Sequence, residues 1–297
     1  MKALEFEGVR RAYTRGVEVL SGVTFSVGPG EVVGLLGKNG AGKTTLIRMA
    51  MGMLEPQGGR VGVLGLDPRQ NPLEVKRRIG YVAEEQILPP FLSIAQVVDL
   101  HRGLFPTWDD AMARDLMGRF ELPAARKIKT LSKGQARRVA LLCAVAHRPE
   151  LLLLDEPASG LDPAARREFL ETSIRLLNES GTSILFSSHY MTDIERMADR
   201  IVMIHGGRVL IDSGLDALKE EFALAMVPRS AVPLRQRILE IHGCLGVRER
   251  PDAWHAVLRL SPGEARSTLQ ARLGLEDVPC RAIPLEDMFV ELAGGQS

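Results

Sequence analysis

The residues with the clearest chemistry are Lys43 and Thr44, which close the octet Gly-Lys-Asn-Gly-Ala-Gly-Lys-Thr at positions 37–44. The octet has the spacing G-x-x-x-x-G-K-[ST]. Glycine at 37, 40 and 42 clears side chains from a tight turn, so consecutive backbone N–H groups can point into one concavity. Such a loop suits the phosphates of a nucleotide when a strand precedes it and a helix follows. "VVGLL" before it reads as a buried strand, and "TTLIRMAMGML" after it reads as a helix starting near Lys43. Gly37, Lys38, Asn39, Gly40, Ala41, Gly42, Lys43, Thr44 and Thr45 are therefore expected to cradle the phosphates of a nucleotide. Lys43 would reach the β- and γ-phosphates and the Thr44 hydroxyl would ligate Mg²⁺.

Two adjacent carboxylates, Asp155 and Glu156, follow four leucines in "LLLLDEP". Ligands of a parallel sheet gather at the carboxyl ends of its strands. There Asp155 is expected to enter the metal shell, and Glu156 to orient and deprotonate an attacking water.

These groups need a scaffold. "VVGLL", "LLLLDEP" and "SILFSSH" are apolar throughout, as strands covered on both faces are. Their alternation with helical stretches predicts an α/β fold with a mostly parallel sheet core. The opening "ALEFEGVRRAY" and "VEVLSGVTFSV" alternate apolar and polar residues and predict an antiparallel β subdomain. Residues 93–147 read as a helical subdomain, and "RIVMIHGGRVLID" as a hairpin turning at Gly206-Gly207. Beyond the linker-like "VPRSAVP" the texture changes. Residues 1–226 are expected to form a nucleotide-binding domain, and 227–297 a small α+β domain of accessory or regulatory role.

The stretch "TLSKGQARRVALL", residues 130–142, narrows the class. Leu131, Ser132, Lys133, Gly134 and Gln135 resemble the LSGGQ signature of the ATP-binding cassette (ABC) ATPases, P-loop NTPases, with lysine for the first glycine. Other marks of that family fall in order over residues 1–222. Tyr13 matches an aromatic that stacks on adenine. "SGLD", ending at Asp162, matches the D-loop. His189 matches the switch histidine; at the end of a strand beside the acidic pair, it is expected to contact the γ-phosphate. Where the family carries a glutamine that ligates Mg²⁺, counting from Tyr81 gives Glu84, while a glutamine stands at Gln86. The spacing from the strand favours Glu84.

The resemblance implies an ATPase that sandwiches two ATP molecules head to tail in a homodimer or heterodimer. Ser132, Gly134 and Gln135 of one chain would then cap the γ-phosphate held by the other. It implies a separate transmembrane permease docked partly on residues 84–105. "IPLEDMFVEL" at 283–292 and "FPTWDDAMARDLMGRFEL" resemble cassettes of bacterial antibiotic-resistance and small-regulon exporters; an importer cassette is the nearest rival. A chromosome-structuring relative would need a long coiled coil between glycine loop and signature. A ribosome-associated one usually carries two cassettes and a basic linker.

Composition agrees with a globular chain. Its 297 residues are 45% hydrophobic and 25% charged, and the 38 basic and 37 acidic residues leave a formal charge of +1, so no nucleic-acid partner is expected. No apolar run approaches the roughly 18 residues of a spanning helix. The charged start "MKALEFEGVRRAY" does not read as a signal peptide. Cys143, Cys244 and Cys280 have no metal-binding spacing. The expected location is the cytoplasmic face of the membrane, as a peripheral subunit.

Overall fold

Alternation dominates the beginning of the chain. β1 (Leu4–Thr14) and β2 (Val17–Val27) pair antiparallel with Phe6 opposite Phe25. Leu4, Phe6, Val23, Phe25 and Val27 all turn inward and are buried. β3 (Val32–Leu36) departs into another sheet, while β4 (Gly58–Val63) returns to the free edge of β1. The result is a three-stranded antiparallel sheet in the order β2-β1-β4. The computed structural model describes residues 1–14, 16–85, 88–178, 181–229, 234–275 and 277–293. They fall into two compact units, Met1–Asp212 and Ser213–Ser297.

The glycine loop runs from β3 into α1 (Lys43–Ala50). After β4 come α2 (Pro72–Arg78) and β5 (Ile79–Val82). The helical region holds α3 (Ile94–Leu104), α4 (Asp110–Arg119) and α5 (Lys133–Val145). Each starts at a side-chain cap. Ser93 and Ser132 form capping boxes with Gln96 and Gln135, and the Asp109 carboxylate accepts from the N–H groups of Ala111 and Met112. β6 (Leu151–Leu154), α6 (Pro163–Asn178), β7 (Ser183–Ser188), α7 (Met191–Met197), β8 (Arg200–His205) and β9 (Arg208–Gly214) follow.

The six-stranded core sheet has the order β5-β6-β7-β3-β8-β9, with parallel pairing from β5 to β8. The four leucines of β6 are wholly buried, which explains why that strand does not alternate. Each contributes roughly 1.5–3 kcal/mol relative to an exposed side chain. β8 and β9 form the hairpin read at Gly206-Gly207. Both glycines have positive φ, 54° and 74°, as a two-residue turn between twisted strands requires.

The second unit contains α8 (Leu215–Glu221), β10 (Ala223–Pro228), α9 (Leu234–Leu239), β11 (Cys244–Glu249), β12 (Ala253–Leu258), α10 (Pro262–Leu273), β13 (Cys280–Ala282) and α11 (Leu285–Ala293). Its sheet runs β11-β12-β10-β13 and is antiparallel throughout. From β10 to β13 the order is βαββαβ, the split βαβ topology. Ala223, Ala225, Val227, Ala256 and Leu258 pack with Ile238, Ala265 and Leu269 of the helices, and α11 lies against β11 and β12. The division at Asp212 precedes the 226/227 boundary drawn from composition. The 226/227 boundary falls inside β10, whose pairing with β12 and β13 places the whole strand in the second unit. "VPRSAVP" begins inside β10, and its residues 230–233 lie outside the described residues.

Candidate functional site

β3 ends at the glycine loop, which bends through two demanding positions. A Cβ on Gly37 would lie 2.9 Å from the Ile204 carbonyl oxygen. Gly42 has φ 101° and packs so tightly that a Cβ would lie 2.5 Å from Leu20 Cδ2. Gly42 is also the N-cap of α1, so the first turn of that helix has no side-chain cap and its N–H groups face the loop. A cavity of about 390 Å³ is lined by Tyr13, Val19, Lys38, Asn39, Gly40, Ala41, Gly42, Lys43, Thr44, Thr45, Glu84 and Glu156. Tyr13 is 57% exposed, and its hydroxyl lies 3.2 Å from Thr45 Oγ1.

The carboxylates follow β6, two places from β3 in the sheet; Glu156 lines the cavity and Asp155 bonds to Thr44 of its wall. Asp155 N–H donates to Val82 O at 2.8 Å, which carries the β5–β6 pairing to the sheet edge. Beyond it the chain turns sharply, with Glu156 at φ 44°. A left-handed conformation costs a non-glycine residue about 1–3 kcal/mol, so its surroundings must hold it. Glu156 N–H donates to Ser187 Oγ at 2.8 Å. Its Oε1 lies 3.1 Å from Lys43 Nζ, with both side chains almost wholly buried, and its Oε2 lies 2.8 Å from His189 Nδ1. Against a carboxylate, Nδ1 is the donor. Lys43 Nζ also donates to Gly37 O at 2.6 Å. Asp155 Oδ1 accepts from Thr44 Oγ1 at 3.1 Å and from Ser187 Oγ at 2.9 Å. Burial pushes the Asp155 carboxyl above its ordinary range, a push that its two hydroxyl donors oppose.

The sequence-selected residues thus separate into two groups. Lys43, Thr44, Asp155, Glu156 and His189 form one connected network, and Tyr13 and Glu84 line the cavity beside it. Ser132, Gly134, Gln135 and Asp162 do not line that cavity. Ser132 Oγ accepts from Gln135 N–H at 3.2 Å, leaving the N–H groups of Lys133 and Gly134 unpaired among the described residues. Asp162 Oδ1 caps α6 through Ala164 and Ala165. Lys133, however, lines a second cavity of about 350 Å³ with Glu84, Glu85, Ala136, Arg137, Ser159 and Gly160. Glu84 belongs to the walls of both; Gln86 lies outside the described residues.

Sequence reasoning missed Ser187, which ties Asp155 to the Glu156 backbone. Its signal is a hydroxyl pair, Ser187-Ser188, closing a strand whose middle, Ile184–Phe186, is apolar. It also missed Arg137, buried on α5 and donating to the backbone beside Glu84.

Residues 20–159 match the ABC transporter domain family. The chain is 31% identical to the Nod factor export ATP-binding protein I of Mesorhizobium japonicum, over 98% of this chain and 87% of that protein. It is also 31% identical to the daunorubicin resistance ATP-binding protein DrrA3 of Streptomyces coeruleorubidus, over 98% and 96%. A solved ATP-binding subunit of an ABC transporter superposes with a TM-score of 0.66 at 32% identity, covering 73% of this chain and 92% of that one. With a glycine loop, an acidic pair and an LSKGQ turn on the corresponding scaffold, the chain belongs to the ABC transporter family, as one of its ATP-binding, ATP-hydrolysing cassettes.

Proposed function

We propose that two such cassettes close head to tail around ATP and drive a separate transmembrane permease in export. The observation that carries the dimer is the separation of the two cavities. The phosphate loop lines one and the signature turn lines the other, so a nucleotide in the loop lacks the signature of its own chain. Ser132 and the open N–H groups of Lys133 and Gly134 are donors suited to a γ-phosphate on a second chain. Export is supported by similarity to Nod factor export and daunorubicin resistance proteins that extends over 98% of this chain, second unit included. Among the described residues no helix is long and apolar enough to cross a membrane, which fits a peripheral subunit on the cytoplasmic face.

Within each site, Lys43 leaves Glu156 for the β- and γ-phosphates. Glu156 then takes the proton of the attacking water, while His189 Nδ1 holds its Oε2 in place. Tyr13 offers a ring to the base. Thr44 Oγ1 and Asp155 Oδ1 are hard oxygen donors 3.1 Å apart, a pair suited to Mg²⁺ once phosphate oxygens and water complete the shell, and Glu84 could add a carboxylate. When bound, Mg²⁺ would neutralise charge on the β- and γ-phosphate oxygens.

ATP should convert Glu156→Gln chains from monomers to dimers in light scattering, and the native chain should co-elute with a polytopic protein from detergent-treated membranes. Monomers at saturating ATP would refute the head-to-tail arrangement. Recovery solely with ribosomes or DNA would refute the transport role.

A further inference from the structure

Arg137 is an unusual residue to bury. It lies on α5, five residues after Ser132, and is 9% exposed. Its Nη1 donates to Ala83 O at 2.5 Å and its Nη2 donates to Glu84 O. Burial lowers its pKa, and the Glu84 and Glu85 carboxylates oppose that shift. Ala83 and Glu84 are the first two residues beyond β5. One planar guanidinium fork therefore grips two consecutive carbonyls, a geometry that a lysine ammonium does not reproduce.

The two ends of this grip are functionally distinct. On one side, Glu84 reaches the walls of both cavities. On the other, α5 is unbroken back to its Ser132 cap. Five residues of helix span only about 7.5 Å and do not stretch. A displacement of the Glu84 backbone must therefore move the first turn of α5 with it, or break two hydrogen bonds to a charged donor.

We infer that Arg137 is a positioning residue for the ATPase reaction: it locks the Glu84 loop to the signature turn, so that a change in one cavity is felt at Ser132. This rests on the reading that the Ser132 turn meets nucleotide held by a second chain. A purely structural arginine would predict loss of folding and of nucleotide affinity together. A positioning arginine predicts intact nucleotide binding and slow turnover.

The test uses the full chain carrying Arg137→Ala or Arg137→Lys. Affinity is measured with a fluorescent ATP analogue and Mg²⁺, turnover at saturating ATP, and dimer formation in each variant combined with Glu156→Gln. In Arg137→Ala, affinity should change by less than about threefold while kcat falls about 10- to 100-fold, the cost of misplacing a positioned group by about 1 Å. ATP-dependent dimers should be lost, and Arg137→Lys should fall between the parent and Arg137→Ala. A kcat within about twofold of the parent would overturn the assignment, as would affinity and kcat falling by the same factor. If Arg137→Ala does not fold, Arg137→Lys decides by the same criteria. A Glu156→Gln parent that stays monomeric with ATP overturns the dimer reading instead, and that failure is visible without any Arg137 variant.

Discussion

Replacing Glu156 by glutamine should do more than slow hydrolysis. Lys43 Nζ lies 3.1 Å from Glu156 Oε1, and the two side chains are 6% and 7% exposed. At an effective dielectric constant of about 20, unit charges at that distance attract by roughly 5 kcal/mol. Desolvation offsets much of this, but an incoming triphosphate must still draw Lys43 away from its carboxylate and approach a second negative charge. Glutamine removes both obstacles while keeping the shape. If about 1–3 kcal/mol of the pair survives desolvation, ATP should bind the variant roughly 5- to 150-fold more tightly. The nucleotide-free variant should lose stability, because neutralising one member of a buried ion pair leaves the other charge without its counter-charge. Here the Gly37 carbonyl still accepts from Lys43, so the loss should stay at or below about 3 kcal/mol. Saturating ATP should restore most of it. Turnover should fall about 10²–10⁴-fold. The assays are calorimetric titration at protein concentrations too low for dimers, and urea unfolding with and without ATP. An unchanged or weaker ATP affinity, with unchanged stability of the empty chain, would refute the competition between Glu156 and phosphate for Lys43.

Two further outcomes follow from other residues. His147 is buried, its Nε2 lies 3.1 Å from Ile79 O, and burial holds its pKa below the ordinary 6.5. The unfolded chain therefore binds the proton more readily, so stability should fall as pH drops from 6.5 towards the depressed folded value. His147→Phe should flatten that slope in urea unfolding, and an unaltered slope would exclude His147 as its source. At Glu84, substitution by glutamine should make ATP binding less steeply dependent on Mg²⁺, since the carboxylate adds negative charge beside the triphosphate when metal is withheld. If Glu84→Gln leaves the dependence untouched while Gln86→Ala abolishes turnover, the metal-facing residue is Gln86.

Much of the first unit is legible because its physics is local in sequence. A glycine octet between a strand and a helix has few alternative uses, and four leucines before two acids mark a buried strand end. Ser93, Asp109 and Ser132 each cap a helix that begins at the next residue. What was not legible depends on partners distant in the chain. Ser187 matters because β6 and β7 are neighbours, which puts its hydroxyl between Asp155 and the Glu156 backbone. Arg137 looks like one more surface cation until α5 is laid beside β5 and the fork meets Ala83 and Glu84. The boundary expected at 226/227 falls inside β10, because "ALAMVP" is apolar enough for either sheet, and only pairing with β12 and β13 shows where the whole strand belongs. β11, β13, α2 and α7 are short, with too few residues to establish a period.

The strand order β7-β3-β8 sets a schedule for making the protein. β3, which leads into the phosphate loop, is built long before both of its neighbours, which come from residues 183–205. At ~5–20 residues per second, the ribosome needs roughly 10–30 s to supply them. Throughout that interval "VVGLL" is an apolar strand with both edges open, and the glycine loop has no acidic pair to meet. The earliest chemistry encoded in this chain is thus among the last to be assembled, and the burden of keeping it from aggregating falls on the hairpin of β1 and β2, which can form at once, and on whatever chaperones attend synthesis.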